Sequence, residues 1–220
     1  MAPIRGERGR LITFEGGEGA GKSTQLKALA ATLRAAGEEV EVTREPGGTS
    51  GAEAARHAVL SGAAQPLGPI AEAALFAAAR ADNVERNIRP ALRRGTHVLC
   101  DRFIDSTRAY QGDLGSAVEH LVRVAIGETE PDLTLVLDLD PELAMRRVLA
   151  RGQGRDRFEA SDLAEHRRRR ERFLRIASAE PRRCAVIDAS REPDEVRAQV
   201  REVVRKRLDL PRADTAEAVA

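Results

Sequence analysis

This sequence predicts a three-layer α/β fold, with helices flanking a five-stranded parallel β-sheet, on three observations. Five apolar runs, at residues 11–14, 40–43, 96–100, 133–137 and 184–188, alternate with stretches of helical period. The connections are long enough for right-handed crossovers between parallel strands, and the run Leu-Thr-Leu-Val-Leu at 133–137 is nearly continuous, as in a central parallel strand. Between the first strand and the first helix stands Gly16-Gly17-Glu18-Gly19-Ala20-Gly21-Lys22-Ser23, which fits G-x-x-x-x-G-K-[ST] in the context where that pattern forms a phosphate cradle.

Composition narrows the function. Among 220 residues, 36 Lys plus Arg stand against 35 Asp plus Glu, a net charge of +1. That balance argues against a protein whose main partner is a nucleic-acid backbone, which usually carries a clear basic excess. Five Phe, one Tyr and no Trp are too few for a single-strand stacking platform. Cys100 and Cys184 lie at the ends of two apolar runs and read as small buried residues, so a disulfide framework is not expected. No apolar run reaches membrane-spanning length, and residues 1–9 lack the apolar segment of a signal peptide. A soluble, cytoplasmic protein is expected, with one domain over residues 1–208 and a disordered tail over 209–220.

Taken in order, Leu-Ile-Thr-Phe at 11–14 is a short buried strand, and residues 25–36 a helix with Leu26, Leu29, Ala30 and Leu33 on one face; Gly37 is placed to cap it. The second strand, 40–43, runs into Arg44-Glu45-Pro46-Gly47-Gly48-Thr49, a forced turn at the carboxyl edge where open parallel sheets bind ligands. Arg44 reads there either as a partner of Glu45 or as a phosphate contact. Residues 51–60 and 70–94 are Ala-rich and helical by period, and Gly95 ends the second helix. Phe76 and Arg80 share a face of it one turn apart; a core Phe beside a surface Arg would give the same pattern.

The third strand, 96–100, ends in Asp101-Arg102-Phe103. An acidic residue there, in a chain with a phosphate cradle, is a candidate Mg²⁺-side carboxylate, with a helix cap as the alternative. Residues 106–112 are polar and carry the only Tyr; 118–126 form a short helix. After the strand at 133–137, Asp140 and Pro141 open a helix as N-cap and N1. Residues 151–159 break every pattern and, with Arg151, Arg155 and Arg157 beside two glycines, read as a mobile lid at about 151–160. The basic run Arg167–Arg170 spreads around a helix rather than along one face, so no nucleic-acid patch is assigned to it. The fifth strand and a last helix over 193–208 complete the fold. His57, His97, His120 and His166 lack metal-ligand spacing and read as structural.

The glycines of the cradle let successive backbone N–H groups converge on phosphate oxygens, and the helix N-terminus adds positive charge. In this pattern Lys22 reaches the β- and γ-phosphates and Ser23 places a hydroxyl on Mg²⁺. A switch GTPase is disfavoured: Asn83 and Asn87, the only asparagines, do not fit the Asn-Lys-x-Asp element by which that family reads guanine. A phosphotransferase with a phosphorylated acceptor fits better, because Arg44, Arg102, Arg151, Arg155 and Arg157 gather cations around one site. Two unit charges about 4 Å apart repel by about 4 kcal/mol at an effective dielectric near 20, which arginines offset while fixing in-line geometry.

Phe14-Glu15-Gly16-Gly17-Glu18-Gly19-Ala20-Gly21-Lys22-Ser23, Thr43-Arg44-Glu45-Pro46-Gly47-Gly48-Thr49, Leu75-Phe76-Ala77-Ala78-Ala79-Arg80-Ala81, Asp101-Arg102-Phe103, Ala109-Tyr110-Gln111-Gly112 and Pro131-Asp132-Leu133-Thr134 resemble the thymidylate kinase family, in order over nearly the whole chain. The bacterial type is indicated by Gly19 in the P-loop and by arginines in the lid. The resemblance implies a P-loop kinase that phosphorylates dTMP to dTDP with ATP and Mg²⁺, in dTTP synthesis, as a homodimer. It implies that Gly16, Gly17, Glu18, Gly19, Ala20, Gly21, Lys22, Ser23, Thr24 and Arg151 bind ATP, that Ser23 and Asp101 hold Mg²⁺, and that Lys22, Arg102, Arg155, Arg157 and Glu18 serve catalysis. By the same match Arg44 and Arg102 hold the dTMP phosphate, Phe76 stacks on thymine, and Arg80, Thr107 and Gln111 read its polar atoms. Tyr110 crowds the sugar's 2′ position and Glu18 faces the 3′-hydroxyl. The chain departs from the family where Asp often precedes the base-binding Arg and His follows three residues later; here they are Ala79 and Asn83, and Phe158 stands where some members have Tyr. A kinase for another nucleoside monophosphate, or a P-loop ATP-binding or regulatory module without transfer activity, remain the alternatives.

Overall fold

The computed structural model describes residues 8–150, 152, 158–159 and 161–210. Five parallel strands, β1 (Leu11–Glu15), β2 (Val40–Arg44), β3 (His97–Asp101), β4 (Leu133–Asp138) and β5 (Cys184–Asp188), pair in the order β2-β3-β1-β4-β5. The strand order switches direction at β1: the chain leaves it toward β2 and β3 and later returns to its other side. Ile12 lies opposite both Leu99 and Leu133, and Phe14 opposite both Asp101 and Leu135. That register brings the turn after β3 beside the loop after β1, at the carboxyl edge where such sheets bind ligands.

Both faces of the sheet are covered, so alternate residues enter different cores. Ile12, Leu99 and Leu135 pack with Leu26, Leu29 and Leu33 of α1 (Lys22–Ala35) and with Val196, Val200 and Val204 of α9 (Pro193–Leu208). Leu11, Val98 and Cys100 face the other way, against Val84, Ile88, Val118 and Val122. Val118 and Val122 belong to α6 (Ser116–Ile126). Phe173 and Ala177 of α8 (Leu163–Ala179) close a third cluster over Val136 and Cys184. Both cysteines are buried and free. The capping expectations hold: Gly37 and Gly95 have left-handed φ of 87° and 84°, and Asp140 accepts from the backbone N–H of Glu142 at 2.9 Å at the start of α7 (Pro141–Ala150). Among the described residues no helix is long and apolar enough to cross a membrane.

Two elements differ from expectation. Residues 70–94 are not one helix: α3 (Pro69–Asn83) passes through a π turn at Val84–Ile88 into α4 (Arg89–Arg93). Pro90 cannot donate the N–H that a continuous helix needs, and the wider turn absorbs that loss. The polar stretch at 106–112, for which no helix was expected, overlaps α5 (Ile104–Tyr110), whose buried residues are Ile104, Asp105, Thr107 and Ala109. With one large apolar side chain among four buried ones, its periodicity is invisible in hydrophobicity. Asp105 anchors it, accepting from Arg183 at 2.6 and 3.0 Å. The helix α2 (Ser50–Leu60) matches the expected 51–60 within a residue.

Leu135 is fully buried in the middle of β4. Leu135→Ala should cost about 2–5 kcal/mol of stability, read as a shift in urea midpoint, because the central strand cannot collapse around the cavity left behind.

Candidate active site

The loop after β1 is glycine where a side chain cannot fit. Gly16 has φ 130°, and a Cβ there would come within 2.4 Å of the Leu137 carbonyl oxygen; one on Gly19, at φ 71°, would come within 2.5 Å of that of Ala144. The helix α1 then begins with no side-chain cap and no acidic residue in its first turn. Its first backbone donors are left for a ligand, and the helix dipole makes that ligand an anion. Lys22 folds back over the loop, its Nζ donating to the carbonyls of Gly16 at 3.1 Å and Gly17 at 2.7 Å. Burial, and then the Arg102 charge, lower its pKa to about 8.

Ser23 Oγ donates to Asp101 Oδ2 at 2.5 Å, so the two residues expected at a metal do meet. No group of three His, Cys, Asp or Glu that could hold a metal occurs among the described residues. One carboxylate and one hydroxyl fit a hard cation that takes its remaining oxygens from phosphates and water, as Mg²⁺ does.

Arg102 has a left-handed backbone, φ 67°, uncommon for a residue with a Cβ. Three fixings hold it there. Its own N–H donates to Phe14 O at 3.0 Å. Its side chain donates to Ser106 Oγ at 3.0 Å, Gly16 O at 3.2 Å and Glu18 Oε1 at 2.9 Å. Beneath the turn, Glu15 accepts from the backbone N–H groups of Phe103 at 2.8 Å and Ser106 at 3.1 Å, and from the Ser106 hydroxyl at 2.6 Å. Burial, and next the Asp105 charge, raise the Glu15 pKa to about 7 against the pull of those donors and Arg102. Burial acts on Glu18 in the same direction, but Arg102 and Lys22 outweigh it and hold that carboxyl at about 2. Tyr110 donates its hydroxyl to Glu18, and its ring lies 5.1 Å below the Arg102 guanidinium. Burial, reinforced by Glu18, pushes the phenol above its ordinary value.

The Phe76–Arg80 pair comes from α3. Arg80 is fully buried; its Nε donates to Glu45 Oε2 at 2.6 Å and its Nη2 to Phe103 O at 2.8 Å. Its Nη1 is buried without a partner. Glu45 is in turn held by Asn83 Nδ2 at 3.3 Å, while Asn83 Oδ1 accepts from Thr43 at 3.1 Å. The positions that depart from the family pattern therefore do not leave Arg80 loose: the carboxylate comes from the turn after β2, whose Glu45-Pro46 peptide is cis.

One cavity of about 630 Å³ joins these pieces. Glu18, Gly19, Gly21, Lys22, Ser23 and Thr24 line one end; Asp101 and Arg102 stand in the middle; Phe76, Arg80, Thr107, Tyr110 and Gln111 line the other end. Its volume suits small-molecule ligands. Arg44 is displaced from its expected place. It does not line the cavity and does not pair with Glu45, because its guanidinium donates to Glu53 Oε1 at 3.0 Å instead. Arg56 lines the cavity and donates to Pro46 O at 2.7 Å. The sequence offered one signal for it: it is the sole Arg of α2, the helix that starts at the ligand-binding edge. Arg151, Arg155 and Arg157 lie outside the described residues, as do most of the expected lid and residues 211–220 of the expected tail. Phe158 and Glu159 do line the cavity, with the Phe158 ring 6.2 Å from Phe76 and 5.6 Å from Tyr110. His166, read as purely structural, also reaches the site, its Nδ1 3.7 Å from Glu18 Oε2.

The Glu15 shift has a measurable sign. The folded chain holds this proton more tightly than the unfolded chain, so Glu15 contributes stability that is present below its ordinary pKa of 4.5 and is lost as pH rises through about 7. Glu15→Gln cannot ionise and should gain stability relative to the wild type as pH rises through that window. Urea midpoints at both ends of it check this, and a pH-independent difference would remove the titration from Glu15.

Residues 14–200 match the family model for thymidylate kinase. The thymidylate kinase of Bradyrhizobium diazoefficiens is 56% identical over 207 residues, 91% of this chain and 91% of that protein. That of Caulobacter vibrioides is 54% identical over 207 residues, 92% of this chain and 99% of that protein. Among solved structures, thymidylate kinase from Ehrlichia chaffeensis is similar with a TM-score of 0.71 at 33% identity, covering 90% of this chain and 99% of that one. The matched region runs from the end of β1 into α9 and so contains the cradle, the Arg102 turn and the Phe76–Arg80 face together: the chain belongs to the thymidylate kinase family.

Proposed function

We infer that this chain transfers the γ-phosphoryl group of ATP to dTMP, giving ADP and dTDP for dTTP synthesis. One observation carries this reading beyond family membership: an anion cradle, an arginine turn and an aromatic–arginine face share a single cavity. ATP lies with its phosphates in the loop of residues 16–24, where the uncapped donors of α1 and the Lys22 ammonium replace water around them. The Lys22 contacts to the Gly16 and Gly17 carbonyls hold the ammonium at the loop beforehand. Ser23 and Asp101 would hold Mg²⁺, which would supply neutralisation of the charge on the transferring group.

The acceptor phosphate sits between Arg102 and Arg56. Arg56 takes the place expected for Arg44, on the ground that it lines the cavity and Arg44 does not. The acceptor's phosphate oxygen is already anionic, so no general base is needed; the arginines offset its repulsion from the γ-phosphate and align the displacement. An acceptor oxygen forms its bond to the γ-phosphorus as the bond to the β-phosphate bridging oxygen breaks. Arg155 and Arg157 add charge to the transferring group, and Arg151 serves ATP; closing the 151–160 segment over them excludes water. Thymine lies on Phe76 with Arg80 at its edge, supported by the unpartnered Arg80 Nη1, and Thr107 and Gln111 complete the base contacts. Tyr110 and Glu18 face the sugar.

Residues 1–208 act as one kinase domain in the cytoplasm. Homodimer assembly is part of the reading, supported by exposed Leu67, Ile70 and Val124 beside and on the packed helices α3 and α6; a one-chain mass by sedimentation would remove it.

ADP release should be largely confined to dTMP, with dUMP trailing, across a panel with UMP, CMP, AMP, GMP and thymidine. Strong turnover of another acceptor would discard the base contacts, and release that ignores every acceptor would leave a nucleotide-binding module. Arg102→Ala should cost on the order of 3 kcal/mol in kcat/KM for dTMP, because a charge-assisted clamp is lost. A value near wild type would take Arg102 out of that role.

A further inference from the structure

The basic run on α8 is not used by the reaction as described. Arg167, Arg168 and Arg170 pair with Glu142, Glu165 and Asp138 at or near the surface. Arg169 turns inward, its side chain 8% exposed. Its Nε donates to Glu165 Oε1 at 3.1 Å, its Nη1 to Phe158 O at 3.2 Å and its Nη2 to Ser161 Oγ at 3.0 Å. The guanidinium carbon stands 4.5 Å from the centre of the Tyr110 ring and 5.8 Å from that of Phe158. One side chain thus ties together α8, Phe158 and Ser161 ahead of it, and the ring of Tyr110. It lies behind the substrate cavity, not on its wall. Its charge is also among those that hold Glu18 ionised.

We propose that Arg169 is a positioning residue for sugar selection: its fork fixes the plane of Tyr110 and ties that ring to Phe158. The inference rests on the assignment of Tyr110 and Glu18 to the sugar side. The Tyr110 hydroxyl is tied to Glu18 and Arg102 stands 5.1 Å from the ring centre, but Arg169 stands closer, and the ring's two aromatic neighbours both meet it edge-on. Phe173, behind it, meets it edge-on at 6.3 Å, and Phe158 meets it edge-on at 5.6 Å. Neither contact sets the ring's plane as strongly as a desolvated planar cation over its face. A Lys in the same place would keep the charge near Glu18 but could not make three bonds in fixed directions while lying flat on a ring.

The chain has one Tyr and no Trp, so its near-ultraviolet tyrosine signals come from Tyr110 alone. Arg169→Lys and Arg169→Met are compared with the wild type and Tyr110→Ala, using dUMP and UMP, which differ only in the 2′-hydroxyl. Both Arg169 variants should lower the dUMP-to-UMP ratio of kcat/KM about tenfold, the size of effect a loosened steric wall gives. Both should also change the tyrosine circular dichroism while the far-ultraviolet spectrum stays that of the wild type. Arg169→Lys should lose selectivity with less change in KM for dTMP than Arg169→Met, since it retains the charge beside Glu18. A wild-type ratio and tyrosine spectrum in Arg169→Lys would overturn the proposal, and this variant decides the matter if Arg169→Met does not fold. If Tyr110→Ala leaves the ratio unchanged, the sugar-side assignment itself fails; if Tyr110→Ala moves the ratio and the Arg169 variants do not, only the positioning role fails.

Discussion

The 2.9 Å contact between Arg102 and Glu18 joins the turn after β3 to the loop after β1, and the rest of the site is arranged around it. Bringing two charges out of water is unfavourable unless every remaining lone pair and proton finds a partner. Here Arg102 gains Ser106 and Gly16, and Tyr110 adds a second donor to Glu18 Oε1, while Glu18 Oε2 stays buried without a hydrogen bond, 3.7 Å from His166 Nδ1. Glu15, one layer deeper, holds the backbone turn that keeps Arg102 in its left-handed conformation. The strand register is the prior condition: unless Phe14 lay opposite Asp101, the two loops would not meet.

A common pattern runs through the cations of the cavity. Lys22 rests on two loop carbonyls, Arg56 on Pro46 O, Arg80 on Glu45 and Phe103 O, and Arg102 on Glu18. Each is held in place by an internal acceptor before any phosphate arrives. An anionic ligand then meets donors whose side-chain entropy is already spent, which is the physical content of preorganisation.

The sheet, the cradle and most helix ends were legible because their causes are local: apolar period, a glycine pattern, a cap two residues from its donor. The edge from which the functional turns project followed from the parallel strand direction that such alternation implies. What could not be read depends on contacts far apart in sequence. Nothing near Arg80 announces that its carboxylate is Glu45, or that Asn83 steadies that carboxylate. Arg44 leaves the cavity wall, where Arg56 stands instead, because Glu53, on the next helix, captures Arg44. Arg169 is indistinguishable in sequence from the three arginines around it, and only the facing of α8 turns it inward. The α5 helix was missed for a similar reason, since an ion pair with Arg183, not an apolar face, anchors it. Local rules fail here where buried polar side chains replace hydrophobic ones.

The near-zero net charge of the chain coexists with a concentrated positive cavity: among the described residues its wall holds six cations against four carboxylates. Surface charges of opposite sign cancel within a Debye length, about 8 Å at physiological ionic strength, so little field extends into solution. Two highly charged nucleotides are consequently not drawn in from afar, as they would be by a strongly basic protein. They meet a neutral exterior and feel the cavity only on reaching its mouth, which makes the rate of capture insensitive to salt and leaves discrimination to short-range fit. The same neutrality gives polyanions such as nucleic acids no field along which to gather and compete for the cavity.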